Sequence, residues 1–177
     1  LRDVNLGEKV PVGKRVAVIG GGNTAIDCAR TAKRLGAEEV RIVYRRSRAE
    51  MPAAADKIEA VEKEGIAIDF LSTPVRLLSE GERLSGMESI RMKLGEPDVS
   101  GRPRPIPVEG SEFLLPVVMV ISALGQVPQT GFVQELGVSL DRGGTIKIAP
   151  GTGATNIEGV FASGDVATGA AYVIEAI

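Results

Sequence analysis

Two rhythms of apolar and polar positions run along this chain. Val16–Ile19 is a short unbroken apolar run, the pattern of a strand buried on both faces of a parallel sheet. From Asn23 to Leu35 the apolar residues Ala25, Ile26, Ala29, Ala32 and Leu35 recur three or four apart. That spacing puts them on one face of a helix, and Gly36 supplies the stop. Val40–Tyr44 is a second β-rich run, so strand, glycine turn, helix and strand follow one another as a βαβ unit. A second helix is expected from Met51 to Lys63, with Pro52 near its start and Gly65 closing it. Ile66–Leu71 is the third expected strand.

After Val75 the rhythm shortens to two. VRLLSEGERLSGMESIRMKLGE alternates, and Glu80-Gly81-Glu82 reads as a hairpin turn. Pro97–Pro107 is expected to be a long proline-rich loop, and Phe113–Ala123 to hold a strand buried on both faces. The last block predicts a helical turn at Gly131–Leu136 and a hairpin around Asp141-Arg142-Gly143-Gly144. A strand at Ile157–Ala162 then enters Ser163-Gly164-Asp165 and a helix from about Thr168. There is no internal repeat. The pattern predicts an α/β fold, a Rossmann-like parallel sheet with a β-meander and a further block behind it. The opening LRDVNLGEKVPVGK reads as a polar lead-in without an initiator Met. The closing ATGAAYVIEAI reads as a helix stopped short, so a piece of a longer protein is expected.

Composition narrows the chemistry. The 177 residues carry a net charge of −2, which argues against nucleic acid as a partner. With no histidine and one cysteine, Cys28, the chain has no imidazole proton shuttle, no Cys/His metal set and no internal disulfide. Cys28 reads as a small core residue, and the composition suits a reducing, cytoplasmic setting. No apolar run reaches the length of a membrane span.

The glycines between the first strand and helix carry the main functional signal. Gly20, Gly22 and Ala25 fit G-x-G-x-x-[G/A], in the strand–turn–helix context that gives this pattern meaning. The first glycine permits the turn, and the second lets a pyrophosphate approach the backbone. The helix N-terminus then presents amides and a partial positive charge. Gly21, Asn23 and Thr24 add donors. At the end of the second strand an NAD site usually carries an acid. Here stand Tyr44, Arg45 and Arg46, with Arg48 close behind. Guanidinium forks suit the 2′-phosphate of NADPH. The plain alternative is a solvated basic loop paired with Asp56, Glu59 or Glu62 on the next helix. A second signature, GVFASGD, runs a strand into Gly164 and Asp165. Asp165 there either accepts from ribityl or sugar hydroxyls, or, like Thr168, caps the helix.

Taken together, GGGNTAID, YRRSRAEMPA, GEPDVSGRPRPIPVEGSEF, ISALGQVP and GVFASGDVATGAAYVIEAI resemble the glutamate synthase small (beta) subunit family. That family is grouped with the NADPH end of dihydropyrimidine dehydrogenase and with ferredoxin:NADP oxidoreductase-type flavoproteins. The resemblance implies residues 1–13 as a lead-in, 14–128 as an NADPH-binding domain, and 129–177 as the C-terminal portion of an FAD-binding domain. It implies that Gly20, Gly22, Asn23, Thr24 and Ala25 hold the NADPH pyrophosphate, and that Arg45, Arg46 and Arg48 hold the 2′-phosphate. Gly125 and Gln126 would lie near the nicotinamide, and Gly164 and Asp165 would touch FAD. Hydride would pass from NADPH to FAD, and electrons onward through iron–sulfur clusters held elsewhere in the protein. The first glycine motif of the FAD domain and the cysteine-rich region are not in this sequence. Implied partners are the rest of the flavoprotein chain and a glutamate synthase large subunit. The alternatives are a non-catalytic NADPH-binding or interaction module, or another of the relatives above. A thioredoxin-reductase-like enzyme would need Cys-x-x-Cys, which this chain lacks.

Overall fold

The computed structural model describes residues 1–98, 101–141 and 143–170. The chain divides into two units, Leu1–Leu124 and Gly125–Ile177. In the first, a short helix α1 (Arg2–Asn5) precedes β1 (Arg15–Ile19), α2 (Asn23–Arg34) and β2 (Glu39–Val43). A single 3-10 turn (Arg48–Glu50), α3 (Ala55–Lys63) and β3 (Ala67–Asp69) follow. Next come β4 (Ser72–Glu80), β5 (Arg83–Pro97), β6 (Pro103–Leu115) and β7 (Met119–Ser122). The parallel sheet has the order β3-β2-β1-β7, and β4-β5-β6 form a separate antiparallel sheet.

Alternation along β1 and β2 explains why their sequences are apolar throughout. Val16, Val18, Val40 and Ile42 pack with Ala25, Ile26 and Ala29 of α2 and Ile58 and Val61 of α3. Ala17, Ile19 and Val43 point the other way and pack with Met87 and Leu115 of the meander and with Val117 just beyond it. The unit therefore has three layers, helices, parallel sheet and meander, with the central strands β1 and β2 buried on both faces. Ile26 and Ile42 are each wholly buried, and such a side chain contributes about 1.5–3 kcal/mol.

Three expectations are corrected. The second helix starts at Ala55, not Met51. Ser47 and Glu50 close a capping box around the 3-10 turn, and Met51, preceding Pro52, is extended as that position demands. The expected loop Pro97–Pro107 is mostly strand. Pro103, Pro105 and Pro107 sit at alternate positions of edge strand β6, so their missing N–H groups all face its open side. The expected single strand Phe113–Ala123 breaks at Pro116, ending β6 at Leu115 and starting β7 at Met119. β7 is an edge strand and only half-buried. The hairpin turn stands as expected: Glu80 pairs with Arg83 across Gly81 and Glu82, and Gly81 takes φ +61°.

The second unit has little regular structure among its described residues, namely α4 (Gly131–Glu135), α5 (Asp165–Thr168) and the bridges Leu140–Ile146 and Ala154–Phe161. Asp141 organises the expected hairpin. Its carboxylate accepts from the Gly143 amide at 2.8 Å, the Thr145 amide at 3.1 Å and the Thr145 hydroxyl at 2.8 Å. The expected strand Ile157–Ala162 is reduced to the single bridge at Phe161, whose side chain is exposed, as is Val160. A strand needs at least one hydrogen-bonded neighbour, and among the described residues no named strand of this unit supplies one. The helix expected from Thr168 starts at Asp165 and stops at Gly169, and the remainder of that expectation lies outside the described residues.

Candidate functional site

The three glycines do different work. Gly20 follows β1 with φ +137°, and a Cβ there would lie 2.3 Å from the Ala123 carbonyl oxygen. It is glycine because β1 turns against the end of β7. Gly21 is glycine for another reason: a Cβ would lie 2.5 Å from the ring of Tyr44. Gly22 is the N-cap of α2, with ordinary extended dihedrals (φ −85°, ψ 175°) and no protein atom within 4 Å of where a Cβ would stand. No side chain caps α2 and no acid lies in its first turn, while Lys33 and Arg34 sit in its last. The amides of that first turn thus combine with the positive end of the helix dipole. Ala25 is wholly buried against the sheet and Thr24 is exposed.

The turn is anchored from one side by the segment before α3. The Ala53 amide donates to the Gly21 carbonyl at 3.1 Å, and the Ala54 amide donates to Asn23 Oδ1 at 3.1 Å. Tyr44 donates its hydroxyl to the Glu50 carbonyl at 2.7 Å while its ring packs over Gly21. Asn23, expected as a ligand donor, therefore also fixes the wall of the site with its side-chain oxygen. The roles of Tyr44 and of Met51–Ala54 escaped the sequence reading. An aromatic one residue beyond the second strand, opposite a glycine with no turn to make, was the available signal.

The arginines separate. Arg45 is exposed. Arg46 is turned inward, 3% exposed, with Nε donating to the Pro103 carbonyl at 2.8 Å and Nη2 to Asp98 at 2.9 Å. Its carbonyl accepts from the Leu71 amide. This differs from the expected ligand role: a guanidinium at the foot of the meander is desolvated and must find its partners in the protein. Arg48 is at the surface, paired with Glu62 of α3, as the plainer of its two readings had it. An exposed pair of that kind contributes little to stability. The same pairing holds the Glu62 carboxyl below its usual range.

Gly125, Gln126, Gly164 and Asp165 belong to the second unit. Gly125 has φ +90°, and both it and Gln126 are exposed. Gly164 combines φ 69° with ψ −157°, a region essentially closed to other residues. It is the N-cap of α5, and no side chain caps that turn. Thr168 instead donates to the Gly164 carbonyl at 3.1 Å. Asp165 is exposed.

A glycine turn opening an uncapped helix between adjacent parallel strands is found in many nucleotide-binding proteins, so the kinship of the chain matters. The sequence profile of the pyridine nucleotide-disulphide oxidoreductases matches residues 1–177. The chain belongs to that family. Within this oxidoreductase family it is 50% identical to the NADP(+)-dependent formate dehydrogenase subunit beta of Moorella thermoacetica, over all of this chain and 25% of the relative. It is 39% identical to the glutamate synthase [NADPH] small chain of Azospirillum brasilense, over 93% of this chain and 34% of the relative. Thioredoxin reductase of T. acidophilum superposes with a TM-score of 0.74 at 24% identity, over 99% of this chain and 50% of the reductase. That likeness speaks for the fold alone. The chain spans about a quarter to a third of the length of the two curated relatives. The resemblance to the glutamate synthase small subunit, read from the motifs, is borne out, as is the α/β class. Among the described residues no helix is long and apolar enough to cross a membrane.

Proposed function

We propose that this chain is the NADPH-binding part of a cytoplasmic flavoprotein oxidoreductase resembling the glutamate synthase small subunit. In the whole protein a bound FAD would supply the hydride acceptor for NADPH, and iron–sulfur clusters would supply the one-electron carriers beyond it. The residues here bind and orient; none need exchange a proton. The amides opening α2 at Gly22, Asn23 and Thr24 receive the pyrophosphate, with Gly22 leaving room for its oxygens. Gly20 and Gly21 keep that turn tight against Ala123 and Tyr44. Arg45 meets the 2′-phosphate, with Arg48 able to leave Glu62 for it. Gly125 and Gln126 line the nicotinamide half, and Gly164 and Asp165 contact FAD. The partners are the rest of the flavoprotein chain and, in a glutamate synthase, its large subunit.

The observation that carries this reading is the uncapped first turn of α2 beside an end of β2 that presents Arg45 and no carboxylate. Calorimetric titration of the full-length protein with NADPH and NADH tests it. NADPH should bind more tightly, and Arg45→Ala should weaken NADPH about 10- to 100-fold with NADH unchanged, the worth of one charge-assisted contact. Equal affinity of the unaltered protein for both coenzymes would refute the 2′-phosphate assignment.

A further inference from the structure

We infer that Arg104, on the proline-flanked edge strand of the meander, is the second arm of the 2′-phosphate clamp, in the place the motif assigns to Arg46. This rests on the NADPH reading above. Arg46 cannot serve freely, because its guanidinium is buried and already donates to Asp98 and to the Pro103 carbonyl. Those same bonds bring β6 to the end of β2. Arg45 precedes Arg46, and Arg104 follows Pro103, so each of the two exposed arginines is the chain neighbour of one partner of the Arg46–Pro103 hydrogen bond. Both line an open groove of about 720 Å³ together with Arg46, Glu96 and Asp98.

The charges in the groove decide what it takes. Arg46 and Asp98 neutralise each other as a pair 2.9 Å apart. Among the described lining residues, the charges left over are those of Arg45 and Arg104 against Glu96, while the Asp98 carboxylate, 30% exposed, stays paired with Arg46. Two guanidinium forks outweigh one carboxylate and match a phosphomonoester dianion in number and geometry. Pro103 and Pro105 fix φ on either side of Arg104, so its backbone is held in place before any ligand arrives. Pro105 pairs with Leu94 and Pro103 with Pro97, which holds the strand to the rest of the meander.

The test is calorimetry on the full-length protein and its Arg104→Ala, Arg104→Lys and Arg45→Ala/Arg104→Ala variants, with NADPH and NADH as probes. Arg104 is exposed, so its loss should leave the fold alone, and the NADH affinity reports that directly. We expect Arg104→Ala to weaken NADPH at least tenfold and leave NADH unchanged. Arg104→Lys should recover part of the loss, since it keeps the charge and loses the fork. The double variant should bind the two coenzymes alike. If the unaltered protein prefers NADPH and Arg104→Ala shifts neither coenzyme, or shifts both equally, the inference is overturned while the NADPH reading stands. If the unaltered protein has no preference, that reading fails and this one with it.

Discussion

Replacing Gly22 by alanine should separate coenzyme binding from folding. The dihedrals of Gly22 are open to any residue, and a Cβ there meets no protein atom within 4 Å. Two small effects oppose each other. Alanine restricts the unfolded chain and gains about 0.4–1 kcal/mol. It is also a poorer N-cap than glycine, by about 0.5–1 kcal/mol. The net change should lie within about 0.5 kcal/mol, a shift of no more than about 3 °C in Tm. In the proposed binding mode the added methyl would stand where the phosphate oxygens approach the amides. NADPH affinity should fall at least tenfold, equivalent to about 1.4 kcal/mol or more. Gly20→Ala should do the reverse. Its φ of +137° is hostile to a side chain, and its Cβ would lie 2.3 Å from the Ala123 carbonyl oxygen. That backbone cannot yield easily, because the Ala123 amide donates to Ile19 at 2.8 Å. Dihedral strain and displacement together should cost about 3 kcal/mol, a drop of about 10 °C. Thermal melts and NADPH titrations of both variants decide the matter. A Gly22→Ala protein that binds NADPH as tightly as the parent would refute the cradle, whatever its stability.

Tyr44→Phe keeps the ring over Gly21 and removes the hydroxyl that reaches the Glu50 carbonyl. It should lower stability by about 1 kcal/mol in urea titration, and no change would show that bond to be idle. Burial pushes the Cys28 thiol up, so Ellman's reagent at pH 7.5 should modify it much more slowly in the native protein than in urea. Equal rates would place it in solvent. The Arg30 guanidinium at 2.6 Å holds the Glu64 carboxyl below the usual carboxylate range. Since the folded pKa is the lower one, the pair's contribution is complete above about pH 4 and is lost as pH falls through the folded value. Glu64→Gln should therefore narrow the stability gap between pH 7 and pH 3, and an unchanged gap would count against the pair.

What was legible in the sequence was what short stretches decide. Val16–Ile19, the helical spacing after Asn23 and Val40–Tyr44 led to the βαβ unit because each element's burial is written in its own period. The helix starting at Met51 was misplaced because a capping box four residues upstream competes with Pro52 for the start signal. The proline-rich stretch was misread because proline ends a central strand but suits an edge. Whether a strand is an edge depends on the sheet order, which local composition does not contain.

The site divides in the same way. Gly20, Gly22 and the first turn of α2 stand within a few residues of one another, so their geometry follows from one turn. The arginine cluster does not. Arg45 and Arg46 are neighbours in the bend beyond β2, which ends at Val43, so strand alternation does not decide where either side chain points. Which one turns inward depends on Asp98 and Pro103, more than fifty positions away, and these come near only because the β5–β6 hairpin folds back over the end of β2. A run of arginines at this position should therefore not be credited with one phosphate contact per residue. The buried member holds the hairpin, and the hairpin delivers Arg104 to the groove.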